Sequence, residues 1–216
     1  THLASSAASD VYKRQYYLSK TDVDHPGREE IIASGELDEM IVGKKLISET
    51  KGTCSIYFQK HITHHLLPSV DREWMKDVTN CFLIRNPMDM IISYSKVHSG
   101  LNMHLLGINE QYEIFNYVRK ITNQIPPVVD SKDILLNPRD ILSKLCTKID
   151  VVFSEEMLSW SKGKRDTDGI WADYWYKNVI NSTGFNIYKE KEEEVPSKYL
   201  DLYEDCSKIY DELSKH

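Results

Sequence analysis

Residues 81–94, Cys81-Phe82-Leu83-Ile84-Arg85-Asn86-Pro87-Met88-Asp89-Met90-Ile91-Ile92-Ser93-Tyr94, carry the reading that decides the fold. Phe82, Leu83 and Ile84 form a continuous apolar run of the kind that fills a buried strand. Asn86 is a preferred N-cap residue, Pro87 suits the first helical position, and Asp89 stands where a capping-box acid stands, so a helix begins at once. Arg85 therefore falls at the carboxyl end of the strand. Open α/β sheets bind ligands outside that end, and a helix start with free N–H groups attracts phosphate. Ser93, two turns into the helix, is near enough to offer a hydroxyl to the same ligand. The plainer reading pairs a surface Arg85 with Asp89 and leaves Ser93 in a helix interior.

Outward from this segment, strand and helix patterns alternate. Upstream, His25-Pro26-Gly27-Arg28 is a turn, Glu29 to Ser34 a short helix, and Glu36 to Leu46 a second helix weakened by Gly43. Cys54 to Gln59 reads as a strand, followed by the histidine-rich segment Lys60 to His65 and a helix or turn around Ser69 to Lys76. Downstream, Ile114, Phe115, Val118 and Ile121 give Asn109 to Gln124 helical spacing, and Pro126-Pro127 ends it before the short strand Val128-Val129-Asp130. Asn137-Pro138 repeats the Asn-Pro helix start, with Ile141, Leu142, Leu145, Cys146 and Ile149 on one apolar face. The charge run Lys189 to Glu194 reads as a solvated linker before a final helix, Ser197 to Lys215. Alternation of this kind predicts an α/β fold with a mainly parallel sheet flanked by helices and right-handed crossovers. Only about three good strands are visible, fewer than a free-standing doubly wound sheet usually has, so a first strand is expected to be missing at the amino end.

A chain of 216 residues with 41% hydrophobic residues fills one core, and one domain is expected over residues 16–216. Residues 1–15 are small and polar, and Ser9 to Gln15 resembles a translated library junction, so they read as a non-native leader without order. The net charge of -6 argues against general nucleic-acid or anionic-membrane binding and confines any phosphate site to a local basic patch. Cys54, Cys81, Cys146 and Cys206 are widely spaced without a Cys-x-x-Cys pair, which suits reduced thiols and a cytoplasmic home. No apolar stretch approaches the roughly 20 residues that span a bilayer.

Arg85-Asn86-Pro87-x-Asp89 followed by Ser93-Tyr94 resembles the 3′-phosphate-binding segment of sulfotransferases that use 3′-phosphoadenosine 5′-phosphosulfate (PAPS), within the P-loop NTPase superfamily. The resemblance implies a three-layer α/β/α fold, with Arg85 and Ser93 holding the 3′-phosphate of the donor. It extends to Ser161-Lys162-Gly163-Lys164-Arg165-Asp166, where Lys162, Gly163, Lys164 and Arg165 match the residue types of a basic-Gly motif that folds over the same phosphate. It implies PAPS as sulfuryl donor, a small-molecule acceptor with a hydroxyl or amine, and no metal. The aromatic-dense stretch from Asp168 to Phe185, with Trp171 and Trp175, would shape the acceptor pocket.

Lys60-His61-Ile62-Thr63-His64-His65 follows a strand and so belongs at the same kind of sheet edge as Arg85. A neutral imidazole takes a proton from an attacking hydroxyl, and a lysine stabilises charge on sulfuryl oxygens. Alignment on Leu66-Leu67-Pro68 sets Gln59-Lys60-His61 over the Lys-Thr-His that ends this strand in cytosolic sulfotransferases. His61 then takes the base position, with His64 as runner-up, while Gln59 occupies the lysine position and Lys60 serves only if the loop shifts by one residue. A metal site on His61, His64 and His65 is the rival reading, although no carboxylate or cysteine completes a zinc spacing.

PAPS-dependent sulfotransferases normally open on a strand and a phosphate-cradling loop, and Gly-x-x-x-x-Gly-Lys-Ser/Thr does not occur in this sequence. Gly43-Lys44-Lys45 lacks both the preceding glycine and the following hydroxyl. The sequence therefore reads as an inactive fragment of a sulfotransferase-like protein. Alternatives are a non-catalytic nucleotide- or protein-binding module on the same fold, or a small-molecule kinase for which Asp130 is the one available magnesium-type aspartate.

Overall fold

The computed structural model describes residues 3–4, 7–48, 56–165, 168, 172, 176–190 and 192–216. Two compact units are distinguishable, residues 1–78 with 161–182 and residues 79–160 with 183–216. Each holds a parallel strand pair with helices packed around it, which is an α/β arrangement.

In the first unit, β1 (Leu3–Ala4) pairs in parallel with β2 (Ile56–Tyr57). Three helices accompany them: α1 (Ala7–Lys20), α2 (Arg28–Ala33) and α3 (Glu39–Ser48). Tyr17 and Leu18 of α1 bury against Ile31 of α2, with Leu67 and Tyr176 closing the cluster. Residues 1–15, expected as a leader without order, thus contribute β1 and the start of α1. The cause is tertiary: Arg14, Gln15, Tyr16, Tyr17 and Leu18 are all buried, and a helix anchored there extends toward its amino end at little cost, because propagation is easier than nucleation. Helix α3 runs straight through Gly43, capped by the Asp38 carboxylate, which accepts from Met40 N at 2.9 Å and Ile41 N at 3.2 Å. The strand expected over residues 54–59 is Ile56–Tyr57 among the described residues; Cys54 and Ser55 lie outside them. Short 3-10 turns at Thr63–His65 and Glu73–Asp77 follow, the second packing on α3.

The second unit contains the segment from Cys81 to Tyr94. β3 (Phe82–Ile84) pairs in parallel with β4 (Val128–Asp130), in register Phe82↔Val128, Leu83↔Val129 and Ile84↔Asp130. β3 is followed by α4 (Pro87–Ser95), α5 (Met103–Leu106) and α6 (Ile108–Thr122). β4 is followed by α7 (Ser131–Leu136) and α8 (Pro138–Lys148). The turn α9 (Lys177–Ile180) belongs to the first unit, and α10 (Leu200–Leu213) closes the second against α4 and α6. Phe82 meets Phe115 of α6 edge to face with centroids 5.4 Å apart, and Ile91, Leu106, Ile108, Tyr199 and Cys206 form the neighbouring core. The continuous apolar run 82–84 is not buried on both faces: Leu83, the middle residue, is 58% exposed while Phe82 and Ile84 point inward, as the twofold alternation of a strand dictates. Between β4 and Asn137 the chain forms helix α7, six residues long and too short for its period to show in the sequence. Cys81, Cys146 and Cys206 are free thiols, the last pushed up to about 11 by burial.

Candidate functional site

The carboxyl edge of β3 and β4 is built from two strand-to-helix turns side by side. Asn86 Oδ1 accepts from Met88 N at 2.8 Å and caps α4; Asp130 Oδ1 accepts from Lys132 N at 2.7 Å and caps α7. Capping satisfies one orphan N–H of each helix and leaves the others of the first turn turned outward. Arg85 stands between β3 and the cap of α4, exposed, with no hydrogen bond or ion pair to any described residue. Asp89, its expected partner on the plainer reading, is buried. Ser93 lies seven residues after Asn86, hence on the same helix face two turns on, and is half-buried. Ser95 donates back to Ile92 O at 3.1 Å, whereas the Ser93 hydroxyl makes no such bond among the described residues. A free guanidinium, a helix start and an uncommitted hydroxyl suit an anion with several acceptor oxygens.

Asp130 ties two helices to the strand end. Its second oxygen accepts from the Tyr210 hydroxyl of α10, and burial together with that carboxylate raises the Tyr210 phenol above the ordinary tyrosine range. Each carboxylate oxygen thus accepts one hydrogen bond, one from the first turn of α7 and one from α10. Tyr210 was not visible as a site-edge residue in the sequence, because its partner lies 80 positions away.

In the first unit, the extended chain after β2 carries Gln59, Lys60 and His61. Gln59 and His61 are two residues apart and share one side, while Lys60 points to the other and is exposed. His61 Nε2 lies 3.0 Å from Gln59 Oε1, and Gln59 Nε2 donates to Leu46 O in the last turn of α3 at 2.6 Å. The His61 ring rests against the buried Trp74, centroids 5.5 Å apart and tilted by 46°. His61 Nδ1 is buried and makes no hydrogen bond among the described residues. His64 and His65 take a different course: His65 stacks on Tyr17 at 4.7 Å, with His64 edge-on to both rings. Among the described residues no three His, Cys, Asp or Glu side chains converge as a metal cage.

The basic turn Lys162 to Arg165 also belongs to the first unit, and Lys162, Lys164 and Arg165 are exposed. Gly163 N donates to Ile180 O at 2.9 Å and Gly163 adopts φ +125°, a conformation that L side chains rarely take. Arg165 N donates to Asp168 Oδ2 at 2.9 Å, so the turn is closed by its own acid. Of the aromatic stretch, Gly169, Ile170, Trp171 and Trp175 lie outside the described residues; Phe185 packs edge-on to Trp160 at 5.4 Å. No helix among the described residues is long and apolar enough to cross a membrane.

Two Arabidopsis thaliana proteins, named branched-chain-amino-acid aminotransferase-like protein 2 and protein 1, are each 30% identical to this chain, over 200 and 203 residues. The alignments cover 93% of this chain, but the chain spans only 35% and 36% of those relatives. Among solved structures, a sulfotransferase domain from the curacin biosynthetic pathway aligns with a TM-score of 0.45 at 15% identity, covering 93% of this chain and 77% of that one. A family model described as a sulfotransferase domain matches residues 8–210, and by that match over nearly the whole length the chain belongs to the sulfotransferase domain family.

Proposed function

We propose that this chain supplies the 3′-phosphate grip and the proton acceptor of a sulfotransferase that draws on PAPS and delivers its sulfuryl group to a hydroxyl or amine of a small acceptor. The observation that carries the reading is Arg85, an uncommitted guanidinium at the capped start of α4, with the free hydroxyl of Ser93 on the same face. A guanidinium presents paired N–H donors that match two phosphate oxygens, and the positive end of α4 adds to the attraction. The basic turn Lys162, Gly163, Lys164 and Arg165 is proposed to close over the same phosphate. The acceptor oxygen attacks sulfur as the bond from sulfur to the 5′-phosphate oxygen breaks; that electron pair leaves with the nucleotide, and the acceptor's proton passes to His61. Lys60, on the other side of the chain from His61, would supply positive charge to the sulfuryl oxygens only after a one-residue shift of this loop.

The test is calorimetry of the chain with 3′-phosphoadenosine 5′-phosphate and with 5′-AMP, which lacks the 3′-phosphate. The parent is expected to prefer the bisphosphate, and Arg85→Ala to weaken it about tenfold or more, the scale of one charge-assisted hydrogen bond, with little change for 5′-AMP. Equal affinity for the two nucleotides, or Arg85→Ala binding as tightly as the parent, overturns the assignment. Selective binding without sulfuryl transfer to any acceptor would instead favour a nucleotide-binding module.

A further inference from the structure

We infer that Gln59 is a positioning residue: it fixes the His61 imidazole as the Nε2–H tautomer and thereby makes Nδ1 the ring atom that accepts a proton. The functional meaning rests on the sulfuryl-transfer reading above; the tautomer itself does not. Leu46 O, a backbone carbonyl in the last turn of α3, only accepts. The group 2.6 Å from it must be the Gln59 amide nitrogen, which orients the side chain and aims Oε1 at His61. Oε1 also only accepts, so the ring nitrogen 3.0 Å away must bear the hydrogen. A neutral imidazole carries one N–H, and Nδ1 is left with a bare lone pair. That atom is buried and has no hydrogen-bond partner among the described residues.

The packing keeps the ring in this state. Trp74 lies against one side of His61 and is itself buried, while the Gln59 bond holds the ring edge. Proton uptake at Nδ1 produces an imidazolium whose Nε2–H still points at the Gln59 oxygen, and behind Gln59 stands the carbonyl end of α3, the favourable end for a cation. Gln59 thus orients the base at rest and supports its charged form. A lysine at position 59, with donors alone, would face Nε2 as a lone pair and reverse the tautomer.

Long-range ¹H–¹⁵N correlation spectra of the histidine-labelled chain read the tautomer directly. The parent is expected to show a pyrrole-type Nε2 and a pyridine-type Nδ1 at His61 above its titration, with Nδ1 the nitrogen that changes type on acidification. The Nε2–H proton should exchange with water about tenfold more slowly than in Gln59→Leu, the effect of one ordinary hydrogen bond, and Gln59→Glu, which keeps an acceptor, should restore slow exchange. Gln59→Lys should move His61 toward the Nδ1–H form. The resonances of His65, stacked on Tyr17, report whether each variant is folded. A pyridine-type Nε2 in the parent, or equal exchange in the parent and a folded Gln59→Leu, overturns the inference. Failure of 3′-phosphoadenosine 5′-phosphate to bind while the His61 pattern holds overturns the sulfuryl-transfer reading alone.

Discussion

His25 gives the first unit an acid-side sensitivity that follows from two hydrogen bonds. Arg14 donates from Nη1 to His25 Nε2 at 3.0 Å, so the ring's hydrogen sits on Nδ1 and is donated to Pro26 O at 2.7 Å. Burial is the largest influence and lowers the imidazole below its ordinary range; the bond to Pro26 opposes it, and the Arg14 charge adds to it. Protonation would also cost the Arg14 bond. A group whose folded value is depressed binds fewer protons in the folded state, so its contribution is present above the ordinary value of about 6.5 and is lost as pH falls below it. We expect an NMR titration midpoint for His25 below that of a free imidazole, and a decline in first-unit stability below about pH 6.5 that His25→Gln flattens. A midpoint at or above the ordinary value would contradict the hydrogen-bond pattern. Single positions of the candidate site differ in how far the sequence exposes them. Arg85 and Asn86 are legible because strand end, cap and helix start are contiguous. Gln59 is not, because the group that orients it is a carbonyl 13 residues earlier, although its two-residue spacing from His61 in an extended chain was a usable signal.

Helix α3 shows a glycine kept where nothing in the backbone demands one. Gly43 has no positive φ, and a Cβ added there would meet Trp74 Cδ1 at 3.6 Å, ordinary contact. Gly43→Ala is therefore expected to stabilise the first unit by roughly 0.5–1 kcal/mol through the lower entropy of the unfolded chain. Chemical denaturation of parent and variant decides it; a lower midpoint in the variant would mean that the contact with Trp74 is closer than an alanine tolerates. The helices most legible in the sequence are those with a cap and a full apolar stripe: α4, α6 and α8 begin and end within a few residues of where Asn86-Pro87, Ile114 to Val118 and Asn137-Pro138 set them. β4 is bounded by Pro126-Pro127 and the Asp130 cap, both local. By contrast α1 draws its order from burial of residues 14–18 against α2, a contact that no window of sequence contains. α7 escapes because Asn137 recaps the chain after barely two turns.

The second unit depends on one aromatic stack for much of its cohesion. Phe115 is 1% exposed, meets Phe82 edge to face, stacks on the His216 ring at 5.1 Å and carries the Arg119 guanidinium 5.5 Å from its centre. Phe115→Ala removes the link between α6 and β3 and should cost about 3–5 kcal/mol, against the 5–15 kcal/mol that holds a typical domain. Hydrogen exchange is expected to quicken across β3, α4, α6 and α10; unchanged protection there would show that Phe115 is not central to this core. Helix α10 completes the same core from a long way along the chain. Tyr199 donates to Ser99 O at 2.8 Å, the Cys206 and Met103 sulfurs lie 3.3 Å apart, and Tyr210 reaches Asp130, separations of 100, 103 and 80 residues. On the ribosome, β3, α4 and β4 emerge long before α10 exists to cover them. Synthesis must pass residue 210 before the acid that caps α7 meets its phenol, so the candidate site at this edge matures well after its strands are made, and the slow closure of such distant contacts sets its pace.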